Sequence, residues 1–208
     1  MNALLLGLVA VLSSKEVVMN ISADGKKLGV ARFSQQLLPD GGKQVQILMD
    51  LSSDSKKGVR VRQESAYDAQ GNPVRKIQEV TSAEGKRTQL ALVTFDAEGA
   101  KMSLDEGGKH SEKKYPLTKG APRADLSEFW LIRDKPKQNA KVTHFRFDVS
   151  GARWSLAESV YIGKTTVSVG GKTVSAHMIR STDGVAYSDD VGDPLLIQTG
   201  NVKMERLR

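Results

Sequence analysis

The chain has 208 residues, 39% of them hydrophobic and 26% charged, with no cysteine and a net charge of +7. That length suits one domain with a sizeable core, and the missing cysteine excludes disulfides, thiolate zinc sites and cysteine nucleophiles. The positive excess is spread out: residues 1–57 carry 7 basic against 5 acidic groups, 58–120 carry 11 against 9, and 121–208 carry 13 against 10. No segment forms the concentrated basic stripe that phosphate-backbone binding needs, and 5% aromatics supply few stacking platforms, so nucleic acid is not an expected partner.

In chain order, the first element is an apolar run from Ala3 to Leu12, followed by Ser13, Ser14 and Lys15. It is too short to cross a bilayer as a helix and matches the apolar core of a secretory signal. No Lys or Arg precedes it and no Ala-x-Ala follows, so a buried N-terminal strand or a misassigned start stands as the alternative to a cleaved signal at 1–14. The expected mature unit is a single β-rich domain over 15–208, located outside the cytoplasm.

From there on, short strand-like runs alternate with Gly-containing turns. In Gly58–Asp68, Val59, Val61, Gln63, Ser65 and Tyr67 share one face, and Arg60, Arg62 and Glu64 the other. Leu90–Phe95 is apolar on both faces and predicts a central or covered strand. In Lys141–Val149, Phe145, Phe147 and Val149 alternate with His144, Arg146 and Asp148; in Arg153–Ile162, Trp154, Leu156, Val160 and Ile162 fall on one side. DAQG at Asp68, SAEG at Ser82 and DAEG at Asp96 recur every 14 residues, with SADG at Ser22 alike. The pattern predicts type I turns closed by a left-handed Gly, joining Gly58–Tyr67, Val74–Thr81 and Lys86–Phe95 into an antiparallel meander. DAQGNP (68–73) and DDVGDP (189–194) share one spelling, Asp-x-x-Gly-(Asn/Asp)-Pro, in which Asp opens the turn and Pro starts the next strand.

One segment departs from the β pattern. Ala121–Pro136 has Pro122 near its start, Asp125 and Glu128 early, Arg133 late and a Pro beyond, which predicts a short helix over about residues 122–133. Its apolar residues cover more than one stripe, so it wants enclosure against the concave face of a curved sheet. The expected fold is mainly β: a strongly curved antiparallel meander or unclosed barrel of about 11 to 14 strands around that helix.

Candidate chemistry is sparse. Val169–Val174, VGGKTV, resembles the end of a phosphate loop, but Thr166 stands where a further Gly is needed and a strand pattern follows, so Gly170-Gly171 predicts a two-residue hairpin turn. His110, His144 and His177 show no ligand spacing, and the last two fall opposite the apolar residues of their strands, on the expected solvent side. Asp189, Asp190 and Asp193 lack the alternation of a calcium loop and read as turn residues. No metal, cofactor or catalytic residue is therefore expected. Phe129, Trp130 and Trp154 either fill a closed core or line an apolar cavity, and they are the candidate ligand-binding residues.

The order of features, namely a signal, a meander with a D-x-x-G-N-P turn, EFWLIRDKPK, YIGKTTVSVGGKTVSAHMIR and a terminal DDVGDPLLI, resembles a family of uncharacterised exported bacterial β-rich domains, some found beside transglutaminase-like peptidase domains. More distantly it resembles the unclosed barrels of the lipoprotein carriers LolA and LolB. The likeness spans most of 15–208 and rests on turns and apolar strands; it carries over no catalytic residue. The helix and aromatics facing a one-sided curved sheet lead to the expectation of a non-enzymatic secreted or periplasmic domain that binds a lipid or acyl chain without spanning the membrane; the alternative is a cell-envelope protein-interaction or structural module with a filled core.

Overall fold

The structure, a computed structural model, describes residues 16–51, 58–117 and 126–207, and for Leu126–Phe129 the backbone alone. The expected signal and residues 122–125 of the expected helix lie outside the described residues.

Fourteen strands form one antiparallel sheet among the described residues: β1 (Val17–Ala23), β2 (Lys26–Leu37), β3 (Lys43–Leu51), β4 (Val59–Tyr67), β5 (Pro73–Ser82), β6 (Arg87–Asp96), β7 (Gly99–Glu106), β8 (Lys109–Pro116), β9 (Lys141–Asp148), β10 (Arg153–Val169), β11 (Lys172–Ser181), β12 (Gly184–Ser188), β13 (Pro194–Thr199) and β14 (Val202–Arg206). Successive strands pair, and β1 also pairs with β14, so the spatial order runs β8 to β1 and then β14 to β9. The meander is interrupted only between β8 and β9, where a π-helical segment, Leu126–Asp134, is inserted. The sheet is unclosed, as expected, and the helical segment ends one residue beyond its expected limit.

Directly paired residues share a face, so register identifies the inner side of the curve. One row runs Tyr161, Ile179, Ala186, Ile197, Met204 and Ile21. A second runs Val17, Phe33, Ile47, Gln63, Gln78 and Ala91. Val17, Met19 and Ile21 alternate along β1 and are buried, which joins the two rows on one face.

The β9–β10 end is rolled inside the β5–β8 end. Ala91, Val93, Ala100 and Met102 of β6 and β7 form a core with Phe147 of β9, against which Trp154, Phe95 and Tyr115 also pack. Phe147 and Trp154 are paired neighbours whose parity is opposite to that of Tyr161 on β10, so they belong to the outer face of their own hairpin. Lys76 donates to the Phe147 carbonyl at 3.3 Å and Gln78 to the Ser150 hydroxyl at 3.2 Å, fastening the hairpin to the inner face of β5. Four edge-to-face ring contacts, centroids 5.1–6.1 Å apart, lie within this overlap; each contributes about 1 kcal/mol beyond burial. The result is a scroll whose inner end is covered on its outer face around Phe147 and Trp154.

That overlap corrects three expectations. Leu156 is 56% exposed, whereas Ala157, Ser159 and Tyr161 are buried, so β10 turns inward the side opposite to its expected apolar stripe. His144 is buried rather than solvent-facing, because it pairs with Ala157 on that inward side. Burial, followed by the charge of Arg146, holds its imidazole below the usual histidine range. Leu92 is 38% exposed while Ala91 and Val93 are fully buried, so β6 has one wet face despite its continuous apolar run.

The turns divide into two kinds. At 68–72 the Gly71 N–H donates to the Asp68 carbonyl and the Asp68 N–H to that of Asn72; the pairs Gly85/Ser82 with Ser82/Lys86 and Gly192/Asp189 with Asp189/Asp193 repeat this pattern. These are the expected turns with a left-handed Gly. SADG differs: Ala23 pairs with Lys26, and Asp24 and Gly25 are both left-handed, so the Asp-Gly dipeptide makes a two-residue turn. DAEG is also a two-residue hairpin, with Asp96 paired to Gly99. Gly170-Gly171 is the predicted two-residue turn, and β11 follows it as a strand.

Candidate functional site: two adjoining clefts on the inner face

Antiparallel connectivity places the turns at 38–42, 68–72 and 189–193 at one end of the scroll, together with the helical segment. Arg133, in the last turn of that segment, donates to the Ala69 carbonyl at 3.1 Å, and the chain beyond it pairs with β10 through Asn139 N–H to Tyr161 carbonyl and Tyr161 N–H to Ala140 carbonyl. The segment is therefore pinned at one side to the DAQGNP turn and at the other to the rolled-in strand. Leu131 of the segment is buried.

Between this segment and the inner face lies a cleft of about 490 Å³, lined by Leu131, Ile132 and Pro136 above and by Tyr161, Lys164 and His177 below, with Lys135 and Asp190 at its rim. Its floor is a hydrogen-bonded series. His177 Nδ1 lies 2.8 Å from the Tyr161 hydroxyl, and its Nε2 lies 2.9 Å from Asp190 Oδ1. A carboxylate needs a donor, so Nε2 carries a proton, and in the neutral ring Nδ1 accepts from Tyr161. Lys164 Nζ reaches the same Asp190 oxygen at 2.8 Å. The hydrogen bond from Lys164, and then that from His177, hold the Asp190 carboxyl below the usual carboxylate range, while Asp190 raises the Lys164 ammonium.

Beside it is a second, mostly apolar cleft of about 190 Å³, lined by Val17, Phe33, Val45, Ile47, Ala186 and Ile197, with Gln35, Ser188 and Asp193 at one side. His177 pairs with Ser188 and Tyr161 lies in the row of Ala186 and Ile197, so the two clefts open on the same face. The turn at 189–193 walls both: Asp190 reaches one, Gly192 and Asp193 the other. Asp193 is buried, accepts from Gln35 Nε2 at 3.0 Å, and has Arg206 4.0 Å away.

Two of the predicted ligand-binding aromatics, Trp130 and Trp154, have described side chains. Trp154 is in the overlap core, its indole N–H donating to the Tyr115 carbonyl at 2.9 Å, and it lines neither cleft. Trp130 is half-buried on the helical segment, and the Phe129 side chain lies outside what is described. The residues that do converge, Tyr161, Lys164, His177 and Asp190, are 13 to 29 residues apart along the chain where they are not neighbours on one strand. His177 was expected on the solvent side; it lies two residues from Ile179, whose pairing with Tyr161 and Ala186 puts that side of β11 in the inner row, and alternation alone does not say which side is inside. Among the described residues no helix is long and apolar enough to cross a membrane, and no group of three His, Asp or Glu side chains could hold a metal.

Fold and clefts together define a rolled, barrel-like β-domain with a lined inner face. No family model and no curated protein matches the chain. Among solved structures it is similar to a β-barrel-like protein of a domain of unknown function, DUF1849, from Brucella abortus, with a TM-score of 0.64 at 12% identity over 96% of this chain and 98% of that one. A DUF1089 family protein from Pseudomonas aeruginosa aligns with a TM-score of 0.45 at 15% identity, over 85% and 92%. The first likeness shows the fold, a barrel-like domain shared almost end to end.

Proposed function

We propose that the chain is a non-enzymatic, extracytoplasmic domain that holds an apolar ligand, a lipid or acyl chain, against the inner face of the rolled sheet. The observation that carries this reading is the 190 Å³ cleft whose walls are Val17, Phe33, Val45, Ile47, Ala186 and Ile197. Apolar side chains around open space on the inner face of a sheet are what an acyl chain can replace water against. The adjoining 490 Å³ cleft extends the available length and lies within the usual range for ligand sites, about 300–1,000 Å³. The apolar run Ala3–Leu12 supports export. Phe129 and Trp130 stay in the proposal as neighbours of Leu131 and Ile132; the packed setting of Trp154 favours a core role for it.

The test is native mass spectrometry after incubation with bacterial phospholipid extract. The expected outcome is a lipid adduct on the protein that is lost in Ala186→Trp, which fills the apolar cleft, while the thermal midpoint of the variant stays within a few degrees. No adduct on the unsubstituted protein, or an adduct unchanged by Ala186→Trp, overturns the reading.

A further inference from the structure

We infer that the ligand carries an anionic head group, seated between Lys135 and Lys164 at the mouth of the larger cleft; this rests on the apolar-ligand reading above. The placement follows from the shared wall. Because Asp190 and Gly192–Asp193 belong to one turn that faces both clefts, a chain lying in the apolar cleft brings its end group past Ser188 to the Tyr161–His177 floor.

The charge at that end is net positive. Two ammonium groups, Lys135 and Lys164, line the cleft against one carboxylate, Asp190. Lys164 commits one of its three donors to Asp190 and keeps the others. Lys135 is exposed at the end of the helical segment and has no carboxylate partner among the described residues. Asp190 itself is 74% exposed, so it can turn into water when a second anion takes its place on Lys164. The apolar cover of Leu131, Ile132 and Pro136 lowers the local dielectric on one side, which strengthens a charge-assisted contact relative to open surface. The overall charge of +7 favours the approach of anions from any direction.

The experiment compares dissociation constants for dodecanoate, dodecyl phosphate and dodecanol, measured by titration calorimetry. Both anions should bind about tenfold or more tightly than the alcohol, the effect of one or two hydrogen bonds to a charged group. Lys135→Met with Lys164→Met should bring the three ligands to similar affinity by weakening only the anions. Asp190→Asn, which removes the competing carboxylate, should tighten the anions several-fold and leave dodecanol unchanged. Tighter binding of dodecanoate than of dodecyl phosphate would point to a fatty acid, the reverse to a phosphorylated lipid. Dodecanol binding as tightly as the anions, or a preference that survives the double Met substitution, overturns the inference with the apolar-ligand reading intact. Binding of none of the three removes that reading itself.

Discussion

The turns DAQGNP and DDVGDP have the same backbone and different attachments. In the first, Asp68 Oδ1 accepts from the N–H groups of Gln70 and Asn72; in the second, Asp189 Oδ1 accepts from those of Val191 and Asp193. Gly71 and Gly192 have φ of 86° and 85°. Beyond that the copies part. Asp68 Oδ2 is met by Asn72 within its own turn, whereas Asp189 Oδ2 receives Arg206 from β14, Asp193 receives Gln35 from β2, and Asp190 receives Lys164 and His177 from β10 and β11. One spelling thus serves in the outer half of the sheet as a turn whose side chains bond within it, met from outside by Arg133 at the Ala69 carbonyl, and at the clefts as a junction of four strands. The shared letters encode the backbone; the substitutions Gln70/Val191, Ala69/Asp190 and Asn72/Asp193 encode the difference.

The largest effect expected from this contrast is at the fifth position of the turn, Asn72 against Asp193. Asp193 is a buried carboxylate whose removal strands Gln35 and leaves Arg206 with one acid fewer. Asp193→Ala should cost about 3 kcal/mol, and Asn72→Ala, which loses one local hydrogen bond, about 1 kcal/mol. Urea denaturation of both variants measures the ratio, and equal costs would mean that the second turn is no junction.

Where the copies agree, their variants should agree. Gly71→Val and Gly192→Val each place a Cβ in the left-handed region, and each should cost about 1–2 kcal/mol. The same denaturation series checks this; a several-fold larger loss at Gly192, which walls the apolar cleft, would show that contacts and not backbone strain dominate there.

Most of the fold was legible in the sequence, because alternation and Gly-bearing turns act locally and act repeatedly. The meander from β4 to β6, the Gly170-Gly171 hairpin, the unclosed sheet and the helical insertion all follow from patterns a few residues long. The faces of β9 and β10 were not legible. Alternation says which residues share a side, not which side is inside, and in the rolled-in hairpin the apolar stripe with Phe147 and Trp154 meets β6–β8 while Ser159 and His144 are turned to the lumen. The candidate site was illegible for a related reason: Tyr161, His177 and Asp190 meet through pairing across β10 to β12 and a bulge that shifts Lys164 into register with His177. The two-residue form of SADG was readable from Asp-Gly and was masked by its outward likeness to DAQG.

The smallest stability effect belongs to Asp190, even though its side chain meets two other strands. Its carboxyl is lowered by Lys164 and His177, so the folded value lies below the unfolded one. The linked stabilisation is then fully present above the unfolded carboxylate value and is lost as the pH falls through the folded one, on the acid limb below about pH 4. Because Asp190 and Lys164 both reach solvent, water and salt screen the pair. Asp190→Asn should therefore move the thermal midpoint by less than about 2 °C at neutral pH, and the two proteins should melt together at pH values where the wild-type carboxyl is protonated. Melting curves at neutral and acid pH make the comparison. A loss as large as that of Asp193→Ala would place Asp190 in the structural junction, and its exchange with an incoming anion would then be too costly for the head-group site.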